Sequence, residues 1–288
     1  LLGFAGVSLM SGKLMRDKRK IYICDSTSAH IQEQNNILAE EYKEHLNKKI
    51  EINKSNVETK LSEYENANII LVPSTFVKKT FEKFNFTKIK TLELGSSVSN
   101  FFTLKEVKKS DTYFDILFIG QISIRKGLHY LIDAFNKFKH PKKRLHIIGS
   151  QTVDKDFFYS KLKNENIKLY GHMTHDKINN IINKCHVNVI PSIEDGFGLV
   201  VTEAAAAGCP SIVSENTGAL DFINRNKCGL SVPVRDSNSL LEKLQLLADD
   251  KILLKQLSFN ASIISKENTW ENYVTKLDEI ILDFKSKN

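Results

Sequence analysis

VNVIPSIEDGFGLVVTEAAAAGCPSIVS, residues 187–214, decides the fold class. Its first four residues, three of them apolar, are a predicted strand that stops at Pro191. A loop with two acids and two glycines follows, then an alanine-rich helix that ends at Gly208 and Pro210, then a second strand over 211–214. Asp195 and Glu203 stand eight positions apart with Gly196-Phe197-Gly198 between them. A strand that feeds a glycine loop and then a helix N-terminus is the arrangement with which α/β proteins hold phosphate groups.

Outward from that stretch the same alternation continues. Downstream, 230–232 is a predicted strand, Ser239 a predicted cap for a helix bearing Leu240, Leu241, Leu244 and Leu247, and 270–284 a last helix. Upstream, 115–119 is a buried strand ended by Gly120, and Leu128, Leu131, Ile132 and Phe135 stripe the following helix. Strands at 145–148 and 167–170 and helices at 156–163 and around 178–185 complete that half. The first hundred residues read the same way: strands at 21–24, 68–72 and 89–94, and helices at 31–47, 56–65 and 75–84, the last with Ser74 as N-cap. This pattern predicts parallel sheets with helices on both faces. The charged stretch 105–111 marks the expected boundary, giving a first domain at 1–108, a second at 109–269 and a terminal helix at 270–288 that crosses back to the first.

Composition narrows the class. The 288 residues are 41% apolar and 26% charged, as in water-soluble globular proteins, and no apolar run approaches the ~18 residues of a membrane span. The net charge of +7 comes mainly from scattered lysines, with only six arginines, which argues against nucleic acid and fits an anionic substrate or loose attachment to an anionic membrane surface. Cys24, Cys185, Cys209 and Cys228 are far apart and form no CxxC pair, so neither a structural metal nor a disulfide framework is expected. The opening LLGFAGVSLM lacks an initiating Met and reads as the interior of an apolar element, so the sequence is expected to be a fragment.

Two loops fall at the carboxyl ends of predicted strands, where open parallel sheets bind ligands. The loop 120–127, GQISIRKG, offers two adjacent cations, Arg125 and Lys126; the loop 192–198 offers backbone amides and carboxylates. A ligand that satisfies both has a diphosphate near the cations and hydroxyls near the acids, as nucleotide sugars do.

PSIEDGFGLVVTEAAAAGCPSIVS and GQISIRKGLHYLIDAF, together with HMTHDKINNIINKCHVNVIPS, ENTGALDFI and NTWENY, resemble the retaining GT-B glycosyltransferases of the "group 1" family. The resemblance covers nearly all of the second half. It implies an α/β GT-B fold of two Rossmann-like domains, the first incomplete here, with the active site in the cleft between them, and sugar transfer from a nucleotide-sugar donor to a saccharide, lipid or small-molecule acceptor with neither metal nor cofactor. It implies that Asp195 contacts hydroxyls of the transferred sugar, that Glu203 bonds the ribose hydroxyls, and that the backbone at Gly196, Phe197, Gly198 and Leu199 faces sugar and diphosphate. Gly120, Gln121, Arg125 and Lys126 would line the diphosphate, Lys126 neutralising it as it leaves. His30, in the loop 25–30 of the first domain, takes the place of a cleft-facing catalytic group.

Two departures stand out. The first acid is usually Glu, and here Glu194 precedes Asp195, which leaves open which of them reaches the sugar. Gln121 stands where the family usually carries Arg, and Arg125 is the candidate replacement. The scattered, unpaired cysteines point to a reducing compartment, so the expected location is the cytoplasm, with peripheral association at the inner membrane face as an open option. The alternatives are a non-catalytic nucleotide-sugar-binding remnant and a GT-B sugar-nucleotide epimerase.

Overall fold

A computed structural model describes residues 1–50, 52–96, 100–151, 154–264 and 268–287. The chain divides into two compact units: Leu1–Leu94 with Glu194–Phe197 and Glu271–Asn288, and Gly95–Ile193 with Gly198–Trp270.

The first unit holds a parallel sheet of β1 (Leu2–Phe4), β2 (Ile23–Asp25), β3 (Ile69–Val72) and β4 (Ile89–Thr91), in that spatial order. Its helices are α1 (Leu9–Asp17), α2 (Ile31–Leu46), α3 (Lys54–Asn66) and α4 (Thr75–Glu82). β3 shows why its residues are all apolar. Ile70 and Val72 point into a core with Tyr22, Tyr64, Val77 and Phe81, while Ile69 and Leu71 point to the other face. A strand with both faces covered has no polar side to alternate with. On that second face Tyr273, Leu277, Ile280, Ile281 and Phe284 of the terminal helix pack on Ile23, Ile69, Leu71 and Leu92. Their spacing is one apolar stripe of an α-helix.

The second unit holds β5 (Phe114–Ile119), β6 (Lys143–Ile148), β7 (Ile167–Gly171), β8 (Val187–Ile190), β9 (Ser211–Ser214) and β10 (Gly229–Val232), all parallel, in the order β10-β9-β8-β5-β6-β7. The helices are α5 (Leu128–Lys137), α6 (Lys155–Lys161), α7 (His175–Lys184), α8 (Leu199–Ala206), α9 (Ala219–Asn226), α10 (Ser237–Asp249), α11 (Lys251–Ile264) and α12 (Trp270–Ser286), the last lying in the first unit from Glu271 on. The alanines of α8 are explained by crowding. Val201 and Ala205 face one apolar cluster with Ile190, Val213 and Phe222, and Ala204 and Ala206 face another with Phe101, Leu117 and Ile182. Larger side chains would overpack that wedge.

Several expectations need correction. The division falls at Leu94/Gly95 rather than at 108/109. Phe101 is buried in the second unit's core, and the amides of Phe102 and Leu104 donate to Asn179 and Asn183 at 3.2 and 2.8 Å, so the charged stretch after them is a surface connection within that unit. The cap of α10 is Asp236, which accepts from Asn238 and Ser239 amides at 2.9 Å each. Helix α11 was not expected; it follows α10 with no glycine or proline between them to signal a break. The four cysteines are free and buried.

Candidate active site

In the second unit the chain starts at β5, winds outward through β6 and β7, and returns to add β8 on the other side of β5. The direction of winding reverses between β5 and β8, which makes this the switch point of the sheet, the place where open α/β sheets bind ligands. The loops leaving those two strands are 120–127 and 191–198.

The two loops are built against each other. The amide of Ile193 donates to the Arg125 carbonyl at 2.9 Å. Gly127 takes φ +66° at the N-terminus of α5, and a Cβ there would lie 1.8 Å from the Pro191 carbonyl oxygen. Only glycine supplies both that backbone conformation and that approach. Below them Ser214 Oγ meets Thr217 Oγ1 at 3.0 Å, and Asn216 donates to the Ile193 carbonyl at 3.0 Å, fixing the β8 loop from the β9 side. A single 3₁₀ turn, Ile124–Lys126, presents Arg125 and Lys126, both half-buried, while Gln121 is exposed. The Ile124 amide donates to Asp154 at 3.1 Å, which sets the turn's orientation.

Gly198 caps α8 with φ +82° and brings no side-chain acceptor to the first amides of the helix. Amides at an uncapped helix N-terminus and the helix dipole favour an anion. One and a half turns along α8 stands Glu203, half-buried. Burial raises its pKa, and the nearby His175 opposes that shift. The hydroxyls of Ser123 and Ser192, one in each loop, are buried with no hydrogen-bond partner among the described residues. Neither stands out in the sequence, because a serine in a loop carries no signal of its own.

The remaining candidates lie in the first unit, where Glu194–Phe197 are held by the loop after β2 and by α4. The Ala29 amide donates to Glu194 Oε1 at 3.0 Å and Gln34 Nε2 donates to Oε2 at 2.9 Å, and the carboxylate is fully buried. Ser74 caps α4 through the Val77 amide at 3.2 Å and donates its own hydrogen to the Gly196 carbonyl at 2.8 Å. A Cβ on Gly196 would lie 1.8 Å from the Thr27 carbonyl oxygen. Phe197 is buried, and Asp195 is the half-exposed acid of the pair. Both oxygens of Glu194 are thus engaged by the protein.

His30 is fully buried instead of presented to solvent. Its ring stacks on Phe84 at 4.1 Å and meets Phe81 edge-on at 5.1 Å, with Tyr64 at 5.4 Å. Neither ring nitrogen has a partner among the described residues, and burial pushes the pKa down to about 4. This is the environment of a neutral packing group and does not offer a proton acceptor to a ligand. The titratable group of that loop is Asp25, at the end of β2, whose carboxyl burial pushes up to about 6. The apolar run alone predicts a strand that ends at Cys24 with Asp25 in the loop, whereas the observed strand extends through Asp25.

A doubly wound sheet with glycine-rich, cation-bearing loops at its switch point, in a chain whose other unit carries a second parallel sheet, defines the GT-B class. Sucrose-phosphate synthase from Thermosynechococcus elongatus matches all of this chain with TM-score 0.81 and 18% identity, over 74% of its own length. Anabaena HepE, solved in complex with UDP-glucose, matches 98% of it with TM-score 0.76 and 16% identity, over 78% of its length. The family "Glycosyl transferases group 1" matches residues 100–264, and the chain belongs to that family. An uncharacterized glycosyltransferase of Methanocaldococcus jannaschii is 31% identical over 160 residues, which cover 55% of this chain and 45% of that protein. The capsular polysaccharide biosynthesis glycosyltransferase CapM of Staphylococcus aureus is 28% identical over 221 residues, covering 69% and 58%. The chain spans about half the length of the curated relatives it matches.

Proposed function

We propose that this chain carries the donor site of a retaining glycosyltransferase that uses a nucleotide sugar. The observation that carries the reading is the pair of loops after β5 and β8, which bring Lys126, an uncapped helix N-terminus and a half-buried carboxylate to one end of one sheet. A diphosphate takes the amides of Gly198 and Leu199 and the Lys126 ammonium, with Arg125 adjacent. Glu203 accepts from the two ribose hydroxyls, since two carboxylate oxygens match a vicinal diol. HepE, of the same fold, is a protein solved with UDP-glucose, which supports a donor of this kind.

Asp195 is assigned to the hydroxyls of the transferred sugar, because Glu194 has both oxygens occupied. In the reaction the bond from the sugar's anomeric carbon to the diphosphate oxygen breaks. The bond to the acceptor oxygen forms on the same face, and the acceptor proton passes to the departing diphosphate. The charge that develops on that diphosphate meets the Lys126 ammonium and the α8 dipole, both in place before the reaction. The ammonium and the helix end do the work for which other transferases recruit a divalent ion, so turnover should persist in EDTA.

The test is a panel of labelled UDP-, GDP- and ADP-sugars, read as nucleoside diphosphate release and as product anomeric configuration by NMR. We expect release from one donor class with retained configuration, and a fall of ~100-fold or more for Lys126→Ala. Binding of a nucleotide sugar without release or transfer, or inversion of the anomeric centre, would overturn the reading.

A further inference from the structure

The strands of the second unit have a second end, and that end also holds a cavity. It encloses about 530 Å³, in the size range of small-molecule sites. It lies where β5 begins, at Phe114, whereas the candidate donor loops lie where β5 and β8 finish. Its wall joins the connection that precedes β5 to α10 and α11, and the Gly208 end of α8 contributes to it.

The lining has two chemical characters. Leu254, Phe259 and Tyr113 supply apolar and aromatic surface, and Phe259 is 64% exposed. Beside them the His186 ring stacks on Phe114 at 5.0 Å. That ring is a neutral wall: its Nδ1 accepts from the Asp115 amide at 3.0 Å, and its Nε2–H donates to the Ser110 carbonyl at 3.1 Å. Burial keeps its pKa below the usual histidine value.

Three lysines line the same space, Lys109, Lys251 and Lys255, against a single carboxylate, Asp111. None of the three forms an ion pair with a described residue. Lys109 gives one of its hydrogens to the Gly208 carbonyl at 3.2 Å, which leaves two donors free. Lysines grouped around an apolar recess are unusual for a solvated face, where opposite charges are interspersed.

We propose that this cavity is a binding site for a small amphipathic organic anion, a carboxylate, sulfonate or phosphate ester on an aromatic or aliphatic body. The body packs on Phe259, Leu254 and Tyr113. The anionic group meets Lys251 and Lys255 at the mouth, with Lys109 deeper. Nothing in the donor site is required for this binding, so it stands whether or not the chain transfers sugar.

The probe is 8-anilinonaphthalene-1-sulfonate, titrated by fluorescence against the whole 288-residue chain. Lys251→Glu with Lys255→Glu, both at exposed positions, should weaken its binding at least tenfold. Phe259→Ser should weaken it severalfold. The exposed apolar residues at the start of α1, Val7 in the turn before it at 83% and Met10 within it at 79%, are the rival site for this dye. Lys18→Glu with Lys20→Glu beside it should therefore leave the affinity unchanged. The uncharged analogue N-phenyl-1-naphthylamine should bind at least tenfold more weakly, and sodium sulfate at 1 mM should not displace the dye. An unchanged affinity in the Lys251/Lys255 variant would overturn the site. Displacement by 1 mM sulfate, or equal binding of the neutral dye, would overturn the ligand class.

Discussion

Two helix N-termini in this molecule follow a parallel strand and a short polar loop, and the chain treats them in opposite ways. At α2 the Ala29 amide already donates to a buried carboxylate of the chain itself, Glu194, and the capping residue is a histidine buried among aromatic rings. At α8 the capping residue is Gly198, which has no side chain to offer. The same electrostatics operate at both ends, because amides and dipole favour an anion at any helix N-terminus. Neither cap supplies a side-chain hydrogen bond, but at α2 the two amides ahead of the first turn, those of Ala29 and His30, donate to Glu194 and Thr80, so that end is held internally as a structural joint. The other is left with its donors free of any capping side chain, next to the cations of the 3₁₀ turn within the same unit. A strand, loop and helix start are therefore insufficient to name a ligand site; what distinguishes the two ends is whether the protein has supplied its own anion.

The first way to break this comparison is to acidify the α2 end. His30 has a pKa of about 4 in the folded chain because burial disfavours its charged form, against an unfolded value near 6.5. A depressed pKa means that stability is fully present above the unfolded value and is lost as pH falls toward the folded one. Between pH 7 and pH 4 the wild-type chain should lose ~3 kcal/mol that His30→Phe does not lose. Urea unfolding of both proteins at a series of pH values measures the difference. Parallel curves would mean that the ring is solvated and free to act on a ligand.

The second way exchanges the roles of the two adjacent acids. Glu194→Gln places an amide where the Gln34 amide donates, so one charge-assisted hydrogen bond is lost and the other weakened. Such bonds contribute ~1.5–3 kcal/mol each, and the variant should lose stability of that order. Asp195→Asn should change stability by less than ~0.5 kcal/mol, as surface substitutions do. It should still lower sugar transfer at least tenfold. If Glu194→Gln instead unfolds like the wild type and abolishes transfer, Glu194 is the sugar contact and the internal-anion account of α2 fails.

How much of this was visible in the sequence differs between the two ends for a physical reason. Residues 120–127 and 187–208 announce themselves because glycines, adjacent cations and an alanine helix are local signals. Each is needed within a few residues of where it acts. The closure of those loops on each other, Gly127 against Pro191, depends on strands β5 and β8 being neighbours, which no local pattern states. The fate of His30 likewise depends on Tyr64, Phe81 and Phe84, which arrive from α3, α4 and the turn after α4. A loop histidine has the same local appearance whether it meets solvent or three aromatic rings. Glu194 was ambiguous for the same reason, since its partners Ala29 and Gln34 lie 165 and 160 positions away. The missed helix α11 shows the opposite limit, a signal that was local but unpunctuated.

The last test asks whether the α8 end is kept for a ligand at the expense of stability. Burial raises the Glu203 pKa, so the folded state holds a proton there more readily than the unfolded chain does. For a raised pKa the favourable contribution is complete below the unfolded value and is lost as pH rises through the folded one. At pH 8 the buried carboxylate therefore weighs against folding, and Glu203→Gln should unfold at a higher urea concentration than the wild type at that pH, with the difference vanishing in acid. A ligand whose hydroxyls donate to the carboxylate favours the charged form. Nucleoside diphosphate affinity should then fall as pH is lowered through the raised pKa, and Glu203→Gln should bind ~10-fold more weakly at pH 8 with a flat pH profile, about the value of one charge-assisted hydrogen bond. Stability and affinity moving in opposite directions is the signature of a site residue. If both decline together in Glu203→Gln, the carboxylate is a structural partner in the manner of Glu194, and the contrast between the two helix ends disappears.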